Sequence, residues 1–333
     1  ENTREYQKTL LAEAFENIIS EADKNNEISF QNTEYYTPKE IVKTMVKLFP
    51  VENRTSIYNP ACGTGNFLVE SARSGSIYAF GDESNISNYN ICMTNLWLHN
   101  IENKKIDEIR IDQMPRVDYA ISNPPFTINN MSKDDERFEK IFYRYGVFEN
   151  ASSYSKFIVK MLESVNTNGK VSVIVPHGFL FKKTRSEYNL RLNLIQNSYI
   201  DAIIALPEKL FNGTKIPVVI LVLQKKYKRD DILYIDASKE YVKERKRNIL
   251  SEENQAKIIE TYKNRIEKPN YSIKVDVKTI IKNDYDLNIK KYIKIKKEEN
   301  HIDIKTENRE LENLETELLS INTEIKEILE KYI

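Results

Sequence analysis

The sequence has few of the residues from which metal sites and disulfide frameworks are built. Its 333 residues include only two cysteines and three histidines, which are Cys62, Cys92, His99, His177 and His301. No group of these residues has the spacing of a metal site, so we expect no bound metal. Two cysteines also exclude a disulfide framework.

The sequence also lacks long apolar runs and an excess of charge of one sign. No segment approaches the roughly 18 apolar residues that a membrane span needs, and nothing at the start resembles a signal peptide. We therefore expect a cytoplasmic protein without membrane contact. Lysine plus arginine and aspartate plus glutamate number 50 each. A protein that binds nucleic acid without a partner is usually strongly basic. If the substrate here is a nucleic acid, we expect a partner protein to provide most of the contacts with it.

Short apolar runs that are typical of buried strands alternate with helical patterns along the chain. We predict strands near residues 55–59, 76–82, 108–112, 117–122, 171–175, 199–205 and 218–224, and helices near 39–48, 65–74, 86–99, 154–166 and 185–196. This alternation predicts an α/β fold whose mostly parallel sheet is covered by helices on both faces. The polar segment 127–152 is predicted to be either a mobile lid or a solvated loop.

A glycine-containing segment, Asn-Pro-Ala-Cys-Gly-Thr-Gly-Asn-Phe-Leu, runs from Asn59 to Leu68 after the first predicted strand. Gly63 and Gly65 permit a sharp turn, and the following helix directs free N–H groups toward a ligand. Such glycines also occur in turns without a ligand. Glu83, however, follows the second strand, where α/β nucleotide-binding folds accept hydrogen bonds from ribose hydroxyls. The combination predicts a cofactor that contains a nucleoside.

A second loop, Ser122-Asn-Pro-Pro-Phe126, follows the strand near 117–122. Asn123 offers a side-chain carbonyl, and Pro124 lacks an N–H and leaves a backbone carbonyl facing the cleft. Two adjacent acceptors suit an exocyclic amino group. Phe126 offers a flat face on which a flipped-out base can stack, an interaction of about 1–3 kcal/mol. The alternative is that Asn-Pro-Pro is only a turn.

These motifs resemble those of the DNA methyltransferases that act on N6 of adenine. Five features occur in the order seen in that family: Tyr35-Tyr-Thr-Pro38, the segment Asn59 to Leu68, Glu83, Asp112 and Asn123-Pro-Pro-Phe126. The segments 169–181, 200–217 and 285–292 are similar to the modification subunit of type I restriction-modification systems. The resemblance covers roughly residues 30 to 295.

The resemblance implies a fold, a cofactor and a reaction. The fold is a Rossmann-like methyltransferase sheet with a C-terminal helical extension. The cofactor is S-adenosyl-L-methionine, and its methyl group is transferred to N6 of adenine in duplex DNA. The implied cofactor-binding residues are Tyr36, Thr37, Pro38, Asn59, Ala61, Gly63, Gly65, Asn66, Phe67, Glu83, Asp112 and Asn123. The implied catalytic residues are Asn123, Pro124, Pro125 and Phe126.

Some of these positions have a second interpretation. Thr37 and Pro38 are also the residues expected at the N-cap and first position of the helix near 39–48, and Asp112 also fits a surface turn. Asn59 stands where an aspartate is common in the family, which removes a negative charge near the cofactor's amino group. Asn66 replaces a frequent glycine, which is acceptable because asparagine tolerates a left-handed backbone.

The composition divides the chain into a helical segment 1–30, a catalytic domain 31–235, a charged helical extension 236–300 and a heptad helix 301–333. Basic clusters near 225–229, 243–247 and 290–297 are either solvated faces or contacts to DNA phosphates.

The heptad helix carries an apolar stripe at Ile304, Leu311, Leu314, Leu318, Ile321, Ile325, Ile328 and Tyr332. A stripe this narrow predicts a partner helix, which we assign to a separate DNA specificity subunit through residues 302–333. The resemblance adds a second modification subunit and a restriction subunit as further partners.

Two other functions remain open from the sequence. The same kind of loop serves methyltransferases that act on RNA or on a protein glutamine. The chain could also be an assembly subunit that keeps the fold without turnover.

Overall fold

The computed structural model describes residues 2–24, 36–107, 114–126, 136–148, 151–212, 216–226, 229–245 and 247–293, with single positions 316, 318, 321 and 325. The helices are α1 Asn2–Lys24, α2 Lys39–Lys47, α3 Asn66–Ala72, α4 Ile86–Leu98, α5 Glu136–Arg144, α6 Ser153–Ser164, α7 Arg185–Gln196, α8 Glu252–Lys263, α9 Val277–Lys282 and α10 Ile289–Tyr292. The strands are β1 Thr55–Asn59, β2 Ile77–Gly81, β3 Lys104–Ile106, β4 Val117–Ser122, β5 Val165–Pro176, β6 Ile200–Ala205, β7 Val218–Gln224, β8 Asp231–Asp236, β9 Val242–Lys243, β10 Asn248–Ile249 and β11 Ser272–Asp276.

Nine strands form one sheet in the order β11-β8-β6-β7-β5-β4-β1-β2-β3, and β9 pairs with β10 in a separate hairpin. The pairings β1 with β2, β1 with β4, β2 with β3, β4 with β5, and β6 with β8 are parallel. Strand β7 is antiparallel to both β5 and β6, and β11 is antiparallel to β8. The carboxyl ends of β1, β4, β5, β6 and β8 therefore open at one edge, which we call the carboxyl edge.

Two apolar clusters lie on opposite faces of the sheet, because successive side chains of a strand point to opposite sides. All residues of β6 and β7 are buried, as expected for strands covered on both faces. One cluster includes α6 and α7, and the other includes α2 and α3. The mostly parallel α/β architecture predicted from the sequence is confirmed.

Three details differ from the sequence prediction. The third strand occupies Lys104–Ile106, before the predicted range 108–112, and residues 108–113 lie outside the described part. Within the predicted loop 127–152, residues Glu136–Arg144 form α5, because Phe142 and the nearby Tyr145 and Val147 are buried in the core. The predicted strands 199–205 and 218–224 are present as the antiparallel pair β6–β7, but β8 and β11, which were not predicted, continue the sheet beyond β6.

The end of the chain, Ile295–Ile333, forms a second compact unit. Most of the predicted heptad helix lies outside the described residues. Its described positions Leu318, Ile321 and Ile325 are helical and exposed. Within the described ranges, every helix is too short or too polar to span a bilayer. The four-segment division of the chain stays a prediction.

Strand β8 belongs to the same sheet as β1 to β4, so we expect it to unfold cooperatively with them. Leu233 on β8 is fully buried, so Leu233→Ala should lower the free energy of unfolding by about 2–5 kcal/mol. The only tryptophan, Trp97, lies on α4 and reports unfolding of the other half of the sheet. Urea unfolding followed by its fluorescence should show the lowered midpoint.

The control is Ile281→Ala, since Ile281 is 41% exposed and its loss should change the midpoint little. An unchanged Trp97 midpoint in Leu233→Ala would show instead that β8 unfolds independently.

Candidate active site

The loops after β1 and β4 meet at the point where the strand order of the sheet reverses. Strand β1 lies between β4 on one side and β2 on the other, with Ile57 opposite Tyr119 and Tyr58 opposite Ala120. The chain leaves this position toward both sides of the sheet, which opens a crevice at the carboxyl edge. Ligands of open α/β sheets bind in such crevices.

The loop after β1 is held in a tight turn by its two glycines. Gly63 has φ +53° and Gly65 has φ +81°, which are left-handed conformations that residues with a side chain rarely adopt. The Gly65 N–H donates to the Cys62 carbonyl at 2.8 Å, and the Gly65 carbonyl accepts from the Val69 N–H at 2.9 Å. Gly65 is thereby the N-cap of α3, whose first residues, Asn66 and Phe67, line the crevice.

Glu83 fixes the glycine turn from the neighbouring strand. Its Oε2 accepts from the Gly63 N–H at 3.0 Å, and its Oε1 accepts from the Asn85 N–H at 2.7 Å. Burial raises the pKa of the Glu83 carboxyl above its usual value, although the hydrogen bonds from Asn85 and Gly63 lower it in part. The carboxylate is therefore an acceptor in a mostly buried position, and it protonates at a higher pH than an exposed glutamate.

A buried ion pair supports the segment that carries Glu83. The Lys160 ammonium on α6 contacts Asp82 Oδ2, and the Tyr58 hydroxyl donates to the same oxygen at 2.7 Å. Both charged side chains are about nine-tenths buried. Removing one partner of such a pair leaves an uncompensated buried charge, so this contact fixes the end of β2 relative to α6. Lys160 gives no signal in the sequence, because a lysine on a helix with other polar residues is usually exposed.

Thr37 connects the two loops. Its hydroxyl accepts from Asn123 Nδ2 at 3.0 Å, and its backbone carbonyl accepts from Asn66 Nδ2 at 3.2 Å. The expected capping role is wrong: Pro38 is the N-cap of α2, no side chain caps this helix, and the helix begins at Lys39. Asn66 is the first helical residue of α3, so a left-handed backbone is not required where it replaces the frequent glycine.

The side-chain carbonyl of Asn123 is left without a donor. Its Oδ1 is buried and has no hydrogen-bond partner within the described part of the chain. In this arrangement the Thr37 hydroxyl engages Nδ2, which leaves Oδ1 as the free end of the amide. An unpaired buried acceptor costs about 1–3 kcal/mol, so this oxygen is ready for a ligand that brings an N–H or O–H group.

Phe126 is supported from behind by Tyr154 on α6. The two ring centroids are 6.4 Å apart and the rings are nearly perpendicular. Tyr154 in turn lies 6.0 Å from Phe179, again edge to face. The Ser153 hydroxyl donates to the Pro125 carbonyl at 2.6 Å, which attaches the loop to the start of α6. Aromatic and hydrogen-bond contacts thus fix the far side of the second loop.

These elements form the walls of one open cleft. It is lined by Tyr36, Thr37, Ala61, Cys62, Gly63, Thr64, Asn66, Phe67, Glu83, Asn123, Pro124, Pro125 and Phe126. Most residues expected from the sequence therefore meet in one cavity. Cys62 and Thr64 also line it without having been proposed, although both lie inside the motif that pointed to the site.

Of the expected residues that the structure describes, three do not line the cleft: Pro38, Asn59 and Gly65. Pro38 and Gly65 lie behind its wall, and Asp112 is outside the described residues. Asn59 is fully buried, and its Oδ1 accepts from the Ala61 N–H at 3.2 Å. Asn59 therefore holds the turn from inside the fold.

Comparison with known proteins places the chain among methylases. The profile of the family described as N-6 DNA Methylase matches residues 6–301. The chain is 32% identical to the type I restriction enzyme MjaVII methylase subunit of Methanocaldococcus jannaschii, over 85% of this chain and 53% of that protein. It is 27% identical to the MpnII methylase subunit of Mycoplasma pneumoniae, over 96% of this chain and 63% of that protein.

Solved structures agree with these relatives. The methyltransferase subunit of a type I restriction-modification system from Streptococcus thermophilus superimposes with a TM-score of 0.71 at 27% identity, covering 79% of this chain and 60% of that one. The Rossmann-like methyltransferase sheet expected from the sequence is thereby confirmed. The chain spans between half and two-thirds of the length of these relatives.

The two glycines of the first loop can be compared directly by substitution. An alanine at either position would have to adopt the left-handed backbone that the glycine has, which costs about 1–2 kcal/mol. At Gly65 the alanine Cβ would also lie 2.9 Å from Cys92 Sγ, whereas at Gly63 it meets nothing within 4 Å. Gly65→Ala should therefore lower the urea midpoint clearly more than Gly63→Ala.

The double variant Gly65→Ala/Cys92→Ala separates the two causes, since it should recover part of the midpoint relative to Gly65→Ala. Equal midpoints for the two glycine variants would contradict the crowding of Gly65 against α4.

Proposed function

The chain belongs to the N-6 DNA Methylase family, and on this premise we propose that it methylates N6 of adenine in duplex DNA with S-adenosylmethionine as donor. The observation that carries the proposal is the free, buried Oδ1 of Asn123 in a cleft shared with the glycine turn and Glu83. The neighbouring relatives are methylase subunits of type I restriction enzymes, so we propose the same role of modification subunit.

The residues of the first loop fit S-adenosylmethionine. Glu83 presents a carboxylate beside the glycine turn, which suits the ribose hydroxyls of a nucleoside. Tyr36, Thr37, Asn66 and Phe67 line the adjoining wall and would hold the remainder of the cofactor. When bound, S-adenosylmethionine would supply a methyl group on a positively charged sulfur; its transfer to the amino nitrogen would leave a neutral thioether and release one amino proton to solvent.

Asn123 and Pro124 would bind the amino group of the target base. The lone pair of an adenine amino nitrogen is delocalised into the ring, so this nitrogen is a weak nucleophile. Hydrogen bonds from the amino group to Asn123 Oδ1 and the Pro124 carbonyl hold its two hydrogens and favour a more tetrahedral nitrogen. Catalysis then depends mainly on positioning and on oriented dipoles.

Phe126 would stack on a base that has left the duplex. Stacking on an aromatic side chain contributes about 1–3 kcal/mol, which offsets part of the cost of unpairing. Tyr154 keeps the Phe126 ring in place at the mouth of the cleft. This arrangement requires no metal ligand and no covalent nucleophile from the chain.

We propose that target recognition is provided by a separate specificity subunit bound through residues 302–333. Leu318, Ile321 and Ile325 are helical, exposed and spaced by three and four residues, which suits a helical partner. The zero net charge also favours a partner that supplies much of the contact with DNA. A second modification subunit and a restriction subunit would complete such an assembly.

The experiment that tests the function measures transfer of labelled methyl groups to duplex DNA, RNA and protein, with and without the specificity protein. We expect the chain to bind S-adenosylmethionine alone, to methylate DNA poorly alone, and to methylate it efficiently with the partner. Label in RNA or in a protein glutamine would assign the other substrates. Efficient site-specific methylation by the isolated chain would contradict the division of labour.

Substitutions at the two bonded residues test the mechanism. Asn123→Ala should abolish methyl transfer while S-adenosylmethionine still binds. Thr37→Val removes the hydroxyl that orients Asn123 and should lower kcat by about 10–100-fold, because small misplacements of a catalytic group have effects of this size. Methyl-transfer kinetics and calorimetry of cofactor binding measure the two effects separately.

Thr37→Ser is the matched control, since it keeps the hydroxyl and should keep most of kcat. If Thr37→Val and Thr37→Ser are equally active, the hydroxyl does not orient Asn123. An Asn123→Ala variant with full activity would indicate that the amino group is bound elsewhere.

A further inference from the structure

The described residues of the basic clusters near 225–229 and 243–247 lie at opposite edges of the sheet. Strand β7 runs antiparallel to β5, so Lys225 and Lys226, which follow β7, lie at the edge opposite the cleft. Arg229, in the same cluster, pairs with Asp201 at the start of β6 at 3.6 Å. This cluster therefore belongs to the amino-end edge of the sheet, far from the site of the proposed reaction.

A different basic segment, residues 181–185, follows β5 at the carboxyl edge. Its five consecutive residues, Phe-Lys-Lys-Thr-Arg, are all exposed and include three cations and no acid. Lys183 contacts Asp284 at 3.1 Å, but both side chains are more than half exposed, so this pair is weak. Lys182 has no ion pair with any described residue.

The segment is connected to the cleft by direct contacts. Tyr154, which supports Phe126, donates its hydroxyl to Glu187 Oε1 at 3.2 Å. Glu187 Oε2 accepts from the hydroxyl of Thr184, in the middle of the basic segment. Only Tyr154 and Glu187 therefore separate Phe126 from Thr184, and the segment borders the mouth of the cleft.

The row of cations continues along the same edge. Strand β8 is parallel to β6, so the loop after β8 also opens at the carboxyl edge, where Lys243 and Arg245 are exposed. Exposed Glu208 and Glu244 interrupt this outer part of the row. From β5 to β8 there are three strand spacings, about 14 Å at 4.7–4.9 Å each. One strand of duplex DNA carries about four phosphates over that length.

We propose that Lys182, Lys183 and Arg185, continued by Lys243 and Arg245, bind the phosphates of duplex DNA and orient it over the cleft. We call these five residues the basic rim. This inference rests on the proposed function, because it assigns the DNA-binding surface of the same site. Exposed long cationic side chains contact phosphates without reading the bases, so the rim contributes affinity and not sequence preference.

The test compares salt dependence in two matched triple variants. The rim variant is Lys182→Gln, Lys183→Gln and Arg185→Gln. The control removes three exposed cations at the opposite edge, as Arg54→Gln, Arg116→Gln and Lys226→Gln. Binding of a labelled DNA duplex by the full chain together with the specificity protein is measured by fluorescence anisotropy over a range of salt concentrations, with two unrelated DNA sequences.

Each phosphate contact contributes about 0.9 to the slope of log affinity against log salt, so the rim variant should lose about 2–3 from that slope. The loss should be equal for both sequences, and the control variant should match the parent chain. Calorimetry should give the parent affinity for S-adenosylmethionine in both variants, which excludes damage to the fold.

Three outcomes would overturn the rim: an unchanged slope in the rim variant, an equal loss in the control, or a loss confined to one DNA sequence. In each of these cases the parent still binds DNA, so the proposed function stands. If the parent chain shows no salt-dependent binding of duplex DNA even with the specificity protein present, the DNA substrate and the rim both fail.

Discussion

The parallel pairing of β1 with β4 is the constraint on which the site depends. It brings the carboxyl ends of two strands that are distant in sequence to adjacent positions at one edge. The glycine turn and the Asn123 loop each grow out of one of these ends, so neither can move without disturbing a mostly buried strand. The two sides of the cleft are therefore extensions of the sheet.

Within that frame, a few polar contacts decide what the cleft can do. Glu83 and Thr37 are each bonded to a neighbouring loop and still face the cavity. The Thr37 hydroxyl accepts a hydrogen bond from Asn123 Nδ2, so Asn123 Oδ1 remains free to accept one from a ligand. The contacts that stabilise the loops therefore also determine which polar atoms are available to a ligand. The buried Lys160–Asp82 pair holds the segment that carries Glu83 against α6.

The basic residues show which properties of the protein the sequence alone can predict and which it cannot. The sequence shows where lysine and arginine are concentrated, but only the strand directions say which edge they occupy. The cluster at 225–229 follows an antiparallel strand and lies away from the cleft, whereas Lys182 and Arg185 follow a parallel strand and lie beside it. Two similar basic segments therefore lie at opposite edges of the sheet because the strands that precede them run in opposite directions.

The sequence by itself determined most helices and strands, both loops and most cleft residues, because apolar periodicity, glycine turns and the Asn-Pro-Pro loop are local signals. Tertiary structure decided the rest. Helix α5 forms in a polar stretch because Phe142 finds a core, and β8 and β11 extend the sheet because it offers them a free edge. Thr37 bonds to Asn123 instead of capping α2 because that partner, 86 residues away, is adjacent only after folding. Contacts between distant segments depend on packing, which no local pattern encodes.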